Sequence, residues 1–406
     1  MRRSLSWGIL LSLALLLMSC VYHNGPGPNA DLTCETWTRE VDANPAKWTH
    51  GADRWFFEGG ENCTEEAERA APDMAAISTM KVRVPNTFTN VKVNGNFQVQ
   101  IFGTNDCNSL YIYGPNSAVR NVVVHVTENT IYLSQAKNVP CDMRNVIIRI
   151  GIRNLNSLSQ CGGGIIEGRG ILSNCLSITS SGCGNIYLAG RVNLTRVVST
   201  GSGNVNVFGA ITPELDIYTS GAGSVNVSGN VGIHSITHHG CGNINIIGAN
   251  TDGLKIKADG RGKIGINGRV AVDEINAKDH VCVYIYYLNG TMLNVYVTDY
   301  ARVGLAGCTT TLYVDAGRSS RFEGHYLYTN DAFVRAHDGA HVNVTAANKL
   351  FASSTQNSSV YYFGSPNTLS QFFRESGVII PILGEKSRYR RSYCPYYKRQ
   401  FDYKDS

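Results

Sequence analysis

The sequence predicts an all-β fold, a parallel β-solenoid with about 20 residues per turn. The first observation is a repeat between Thr200 and Gly268. Gly201-Ser202-Gly203-Asn204-Val205-Asn206-Val207 recurs as Gly221-Ala222-Gly223-Ser224-Val225-Asn226-Val227, as Gly240-Cys241-Gly242-Asn243-Ile244-Asn245-Ile246 and as Gly260-Arg261-Gly262-Lys263-Ile264-Gly265-Ile266. A fixed spacing of 19 to 20 residues between leading glycines marks a stacked-repeat architecture. The second is the alternation of Val or Ile with polar residues inside each unit, a period-2 strand signal. The third is a further apolar row before each glycine pair, such as Leu215, Ile217 and Thr219 or Leu254, Ile256 and Ala258. No unit can bury its apolar rows alone, whereas strands stacked about 4.8 Å apart build one continuous core.

Each part of the chain can be justified in turn. Residues 1–19 read as a signal peptide: Arg2 and Arg3 are basic, and Ile9 to Met18 is an apolar run too short for a comfortable span. Leu17-Met18-Ser19-Cys20 resembles a lipobox, which would make Cys20 the lipidated first residue of the mature chain and the membrane its partner through that lipid. Val21 fits an outer-membrane lipoprotein. Residues 20–30 form a Gly/Pro tether. Residues 31–75 hold Trp37, Trp48 and Trp55 and eleven acidic residues against four basic ones, and read as an acidic N-terminal module or cap. The solenoid proper is expected over 76–384, opening with Phe88 to Ile101 and entering the regular repeat at Leu155 to Gly168. Its corner glycines begin at Gly162 and Gly182 and continue through Gly201, Gly221, Gly240 and Gly260. Beyond Gly268 the apolar rows persist, but Asp299, Arg318 and Gln356 stand in the phase of Gly260. Residues 385–406 form a basic, Tyr-rich tail with seven Lys/Arg against three acidic residues.

Phe88 to Ile101, the Leu155 entry, the Ser/Thr-Gly-x-Gly units and the ending Val360-Tyr361-Tyr362-Phe363-Gly364-Ser365-Pro366 together resemble the auto-transporter adhesin head GIN domain family, over roughly 82–366. The resemblance implies an exported, adhesin-like β-solenoid without catalytic residues to carry over. With the general chirality of crossovers it also implies a right-handed coil.

Export makes disulfides permissible. Cys34–Cys63, Cys107–Cys141 and Cys161–Cys183 are candidate pairs, while Cys183 and Cys241 lie three turns apart, beyond disulfide reach. Asn206, Asn226 and Asn245 share one outward phase and can form an amide ladder. His234, His238, His239 and Cys241 cluster in sequence, but alternation sends His238 and His239 to opposite faces, against joint metal coordination. A net charge of +5 is too mild for a nucleic-acid partner, and no cofactor is implied. The candidate binding residues are the tyrosines of the later turns: Tyr284, Tyr286, Tyr287, Tyr296, Tyr300, Tyr313, Tyr326 and Tyr328. Their flat rings with polar rims suit glycan or an envelope or host protein. The expected function is a non-catalytic, adhesive cell-envelope lipoprotein. The alternatives are a periplasmic assembly scaffold and a polysaccharide-active β-helix enzyme. The enzyme would need convergent carboxylates, and Asp252, Asp259, Asp273, Glu274 and Asp279 lie mostly at corners.

Overall fold

A computed structural model describes residues 77–127, 129–136 and 143–382. The leader with Cys20, the tether, the acidic stretch 31–75 and the basic tail lie outside the described residues, as do Cys34, Cys63 and Cys141 of the expected bridges.

Ten consecutive long strands, each of 14 to 16 residues, make the body: β9 (Ile166–Ser180), β10 (Ile186–Ser199), β11 (Val205–Thr219), β12 (Val225–His238), β13 (Ile244–Ala258), β14 (Lys263–Ala277), β15 (Cys282–Val297), β16 (Arg302–Ala316), β17 (Arg321–Ala336) and β18 (His341–Ser354). Each pairs in parallel with the next in chain order, so every strand is one solenoid turn. Breaks in register divide a turn into three straight segments, each with its own inward pair. In β14 these are Ile264/Ile266, Val270/Val272 and Ile275/Ala277, all buried. The predicted interior column is present. Val205 pairs with Val225, Val225 with Ile244 and Ile244 with Ile264, and all four are fully buried.

The glycine pairs are set by close approach more than by φ. A Cβ on Gly221 would fall 1.9 Å from the carbonyl oxygen of Gly201, and one on Gly201 would fall 2.0 Å from that of Gly182. Beside them Asn226 Nδ2 donates to Asn206 Oδ1, and Asn245 Nδ2 to Asn226 Oδ1, both at 2.8 Å, so the predicted amide ladder forms. In the later turns Asp279, Asp299, Arg318, Asp338 and Gln356 occupy the corner at φ between 53° and 63°, the left-handed region that Asp and Asn tolerate best among non-glycine residues. Burial alone would raise the Asp299 carboxyl. Hydrogen bonds from Arg318 and Thr298 outweigh it and hold the group below its usual range.

The N-terminal portion, ahead of the regular repeat that the sequence enters at Leu155, is paired differently. The strands there are β1 (Ile77–Val82), β2 (Asn90–Asn94), β3 (Gln98–Gly103), β4 (Ser109–Pro115), β5 (Val122–Val126), β6 (Thr130–Gln135), β7 (Ile147–Ile152) and β8 (Ser157–Gln160). One arm of the sheet runs β9–β3–β7–β4–β1 and the other β9–β8–β2–β6–β5. Both arms end on antiparallel strands, which closes the parallel stack with ordinary hairpin-like pairing. At the other end β19 (Ser359–Phe363), β20 (Thr368–Phe373) and β21 (Val378–Pro381) continue the parallel ladder.

Neither the expected Cys161–Cys183 bridge nor the expected Cys107–Cys141 bridge is formed: the thiols of Cys107, Cys161 and Cys183 are free. Register explains the first. Gln160 aligns with Ser180, so Cys183 stacks on Gly163 rather than on Cys161, and its Sγ lies 3.1 Å from where a Gly163 Cβ would sit.

If carbonyl-to-Cα stacking holds the corner, Gly221→Ala should cost at least about 2 kcal/mol, as overpacking against immobile backbone does. Gly290→Ala, where the nearest atom to a new Cβ is 3.9 Å away, should stay within about 0.5 kcal/mol of the parent. Urea denaturation of both variants checks this, and equal midpoints would refute it.

Candidate functional site

Alternation along the third segment of each turn projects two parallel columns of side chains outward. The first runs Arg196, Asp216, Ser235, Lys255, Glu274, Asn294, Tyr313, Phe333, Phe351 and Ser370. The second, two residues further along each strand, ends with Asn276, Tyr296, Asp315, Arg335, Ser353 and Phe372. This face is polar and charged on the early turns and aromatic on the late ones.

The late turns carry an open surface groove of about 440 Å³. One wall is an aromatic stack. The ring centroids of Tyr313 and Phe333 are 4.8 Å apart with planes 10° from parallel, and those of Phe333 and Phe351 are 5.2 Å apart at 2°. The floor lies over Val295, Val314, Val334 and Ala352, and the second wall carries Tyr296, Asp315, Arg335 and Ser353. Asp315 lies 3.3 Å from His337 Nε2 and 3.9 Å from Arg335, so charge of both signs stands along that wall. Stacking at the turn spacing uses both faces of the Phe333 ring, so the wall presents ring edges to a ligand, not open faces. The groove therefore offers apolar contact on one side and hydrogen bonding on the other, along the solenoid axis.

The eight predicted tyrosines do not form one patch. Tyr296 and Tyr313 line the groove. Tyr284 is buried with its ring folded over Gly304; burial, then the charge of Glu323, raises its hydroxyl pKa. Tyr286 and Tyr287 sit at the first bend of β15, with Tyr287 at φ 66°. Tyr300 lies at the tight turn with its ring 5.0 Å from that of His280. Tyr326 stacks on His325 at 4.5 Å, and Tyr328 is half-buried between Cys308 and Thr345 in register. Phe333 and Phe351 escaped the sequence reading, though a signal existed. Each follows an inward residue aligned with Leu312, as Tyr313 does.

The histidines divide as alternation predicts. His238 is fully buried, with Nδ1 2.6 Å from Thr219 Oγ1, whereas His239 is outside, 2.8 Å from Asp259. His234 lies 3.5 Å from Glu214.

A family model described as "Putative auto-transporter adhesin, head GIN domain" matches residues 87–213, 195–278 and 272–366. The chain belongs to this family. Three solved structures are similar to this head GIN chain, each covering 76% of it. One, described as a "putative adhesin" from Bacteroides fragilis, is 17% identical, with 98% of its own length covered and a TM-score of 0.23. Another, a "putative lipid binding protein" from Parabacteroides distasonis, is 12% identical, with 98% covered and a TM-score of 0.27. The third, a "putative adhesin" from Parabacteroides merdae, is 10% identical, with 97% covered and a TM-score of 0.23. No curated protein matches the head GIN chain.

Desolvation lowers the pKa of His238 to about 4, against the raising influence of Asp259. The neutral imidazole is thus native, and the unfolded chain takes up its proton first. Stability from this group is complete above the ordinary value of 6.5 and is lost as pH falls from 6.5 toward 4, by up to about 3 kcal/mol. Urea midpoints across that range should fall less for His238→Thr than for the parent; parallel curves would refute the assignment.

Proposed function

We propose that this head GIN protein is a non-catalytic binding protein of the cell envelope, exported by its N-terminal leader and held to the outer membrane through a lipid on Cys20. Its adhesive surface is the aromatic-walled groove of the late turns, and its ligand is a glycan or an envelope or host surface component. Family membership supports the adhesin-like role. The leader sequence supports the address, and among the described residues no helix is long and apolar enough to cross a membrane. The observation that carries the reading is the groove itself. The stack of Tyr313, Phe333 and Phe351 faces Asp315 and Arg335 across a channel of about 440 Å³. Half-exposed aromatics at the centre of a patch with a polar rim are the usual anchors of binding surfaces.

What supports a non-catalytic reading is that Asp315 is the one carboxylate among the groove's lining residues, so no paired acid and base converge there. A glycan array probed with the full-length chain tests the proposal. Phe333→Ala combined with Phe351→Ala should lower binding at least about tenfold, the loss of roughly 1.4 kcal/mol expected of one anchor. Tyr286→Ala with Tyr287→Ala, at the bend of a different segment, should leave binding intact. Undiminished binding by the phenylalanine pair would sink the groove as the site.

A further inference from the structure

Charge is unevenly distributed along the solenoid. Residues 77–200 carry eleven Lys/Arg against four Asp/Glu, a net of +7, whereas residues 201–382 carry twelve against thirteen, a net of −1. Three of the eleven cations share one face of the fold. On the arm β9–β3–β7–β4–β1 one outward row reads Glu167, Gln100, Arg149, Tyr111 and Lys81 across successive strands. Phe102 and Arg169, each two residues further along, stand beside that row and face each other in register. The cations are interleaved with rings. Lys81 Nζ lies 5.6 Å over Tyr111, and the Arg149 guanidinium lies 5.2 Å over Tyr113 while its Nε donates to Gln100 at 3.0 Å. Phe102 is exposed, and a depression of about 220 Å³ opens between it, Gln100, Arg149, Glu167 and Arg169. On the neighbouring arm Lys92 Nζ lies 5.2 Å over Tyr132. Glu167 is the one carboxylate in the row.

We propose that this basic, aromatic face rests on an anionic lipid bilayer, with Lys81, Arg149 and Arg169 against phosphate headgroups and Tyr111, Tyr113 and Phe102 at the level of the interface. The inference rests on the reading of the chain as an exported envelope protein. The physical grounds are general. Each Lys or Arg close to an anionic membrane surface contributes favourably, and amphipathic rings settle where one side is apolar and the other wet. A sheet face presents several such side chains side by side, as contact with a bilayer requires and a narrow ligand does not. The side-chain bonds that hold Arg149 over Tyr113 and against Gln100 keep the cation at the surface without neutralising it, since neither partner is charged.

The test is co-sedimentation of the full-length chain carrying Cys20→Ala, which removes the proposed lipid anchor, with vesicles of phosphatidylcholine alone and of phosphatidylcholine with phosphatidylglycerol, at low and high salt. Partitioning should favour the anionic vesicles and weaken as salt rises. Lys81→Gln, Arg149→Gln and Arg169→Gln together should reduce that partitioning about 100-fold, whereas Arg149→Lys with Arg169→Lys should retain most of it. Matching urea midpoints would confirm that the variants are folded. The proposal is overturned if neutral vesicles bind equally well, or if the triple variant partitions like the parent. It is also overturned if the chain is retained on dextran sulfate but ignores anionic vesicles, which would assign the face to a soluble acidic polymer. The Phe333→Ala, Phe351→Ala variant should partition like the parent, so failure of the groove and failure of this face are separately visible.

Discussion

The structure depends on one close approach, the carbonyl oxygen of each corner glycine lying where its successor would carry a Cβ. A Cβ on Gly240 would meet the oxygen of Gly221 at 2.2 Å, as one on Gly221 would meet that of Gly201 at 1.9 Å. Backbone stacked this tightly fixes register to the residue. Once register is fixed, every other position in the turn belongs to a column, inside or outside, for the length of the repeat. The amide ladder through Asn206, Asn226 and Asn245 and the buried column through Val205, Val225, Ile244 and Ile264 follow from that single constraint.

The later turns meet the same constraint by different chemistry. Where the glycine pairs end, Asp279, Asp299, Arg318, Asp338 and Gln356 turn the corner in the left-handed region. Asp279 also accepts a hydrogen bond from the Gly260 amide one turn earlier, so a side chain does the linking that bare backbone did before. The regular turns carry Asn206, Asn226 and Asn245 in one outward column of their first segment, which suits a ladder. The aromatic columns lie in the turns beyond them, where side chains already pack and bond across turns at the corners. The groove therefore sits in the irregular half because that half has the side-chain variety to build it.

Much of this could be read from the residues. Alternation and period located the inward rows, and the phase argument that set Asp299, Arg318 and Gln356 in place of Gly260 agrees with the observed φ angles. Alternation likewise puts His238 inside and His239 outside. What failed was reasoning by residue type instead of by column. Tyrosines close in sequence were read as one surface, although Tyr284 packs over Gly304 and Tyr300 lies at a turn. The groove needed Phe333 and Phe351, aligned with Tyr313 only through register. Cys161 and Cys183 were paired by turn count, when the relevant distance is two positions of phase. The antiparallel ends of the two N-terminal arms left no periodic trace, because β4 and β5 answer to strands that are not their neighbours by repeat.

A solenoid separates its surfaces by counting turns. Groove-lining Asn294 is on β15, and the basic row reaches β9 at Glu167, six turns earlier. At about 4.8 Å per turn that is about 29 Å. This is well beyond the distance at which substitutions couple through shared contacts, and several Debye lengths at physiological salt. Contacts in such a stack run chiefly between adjacent turns, so strain at one surface has to pass through the intervening layers to reach the other. Two surfaces of different chemistry can thus be carried on one rigid core without either constraining the other. What sets their spacing is the number of regular turns between them, which makes the repeat itself, and not any residue in either site, the determinant of how far a ligand in the groove is held from whatever the basic face rests on.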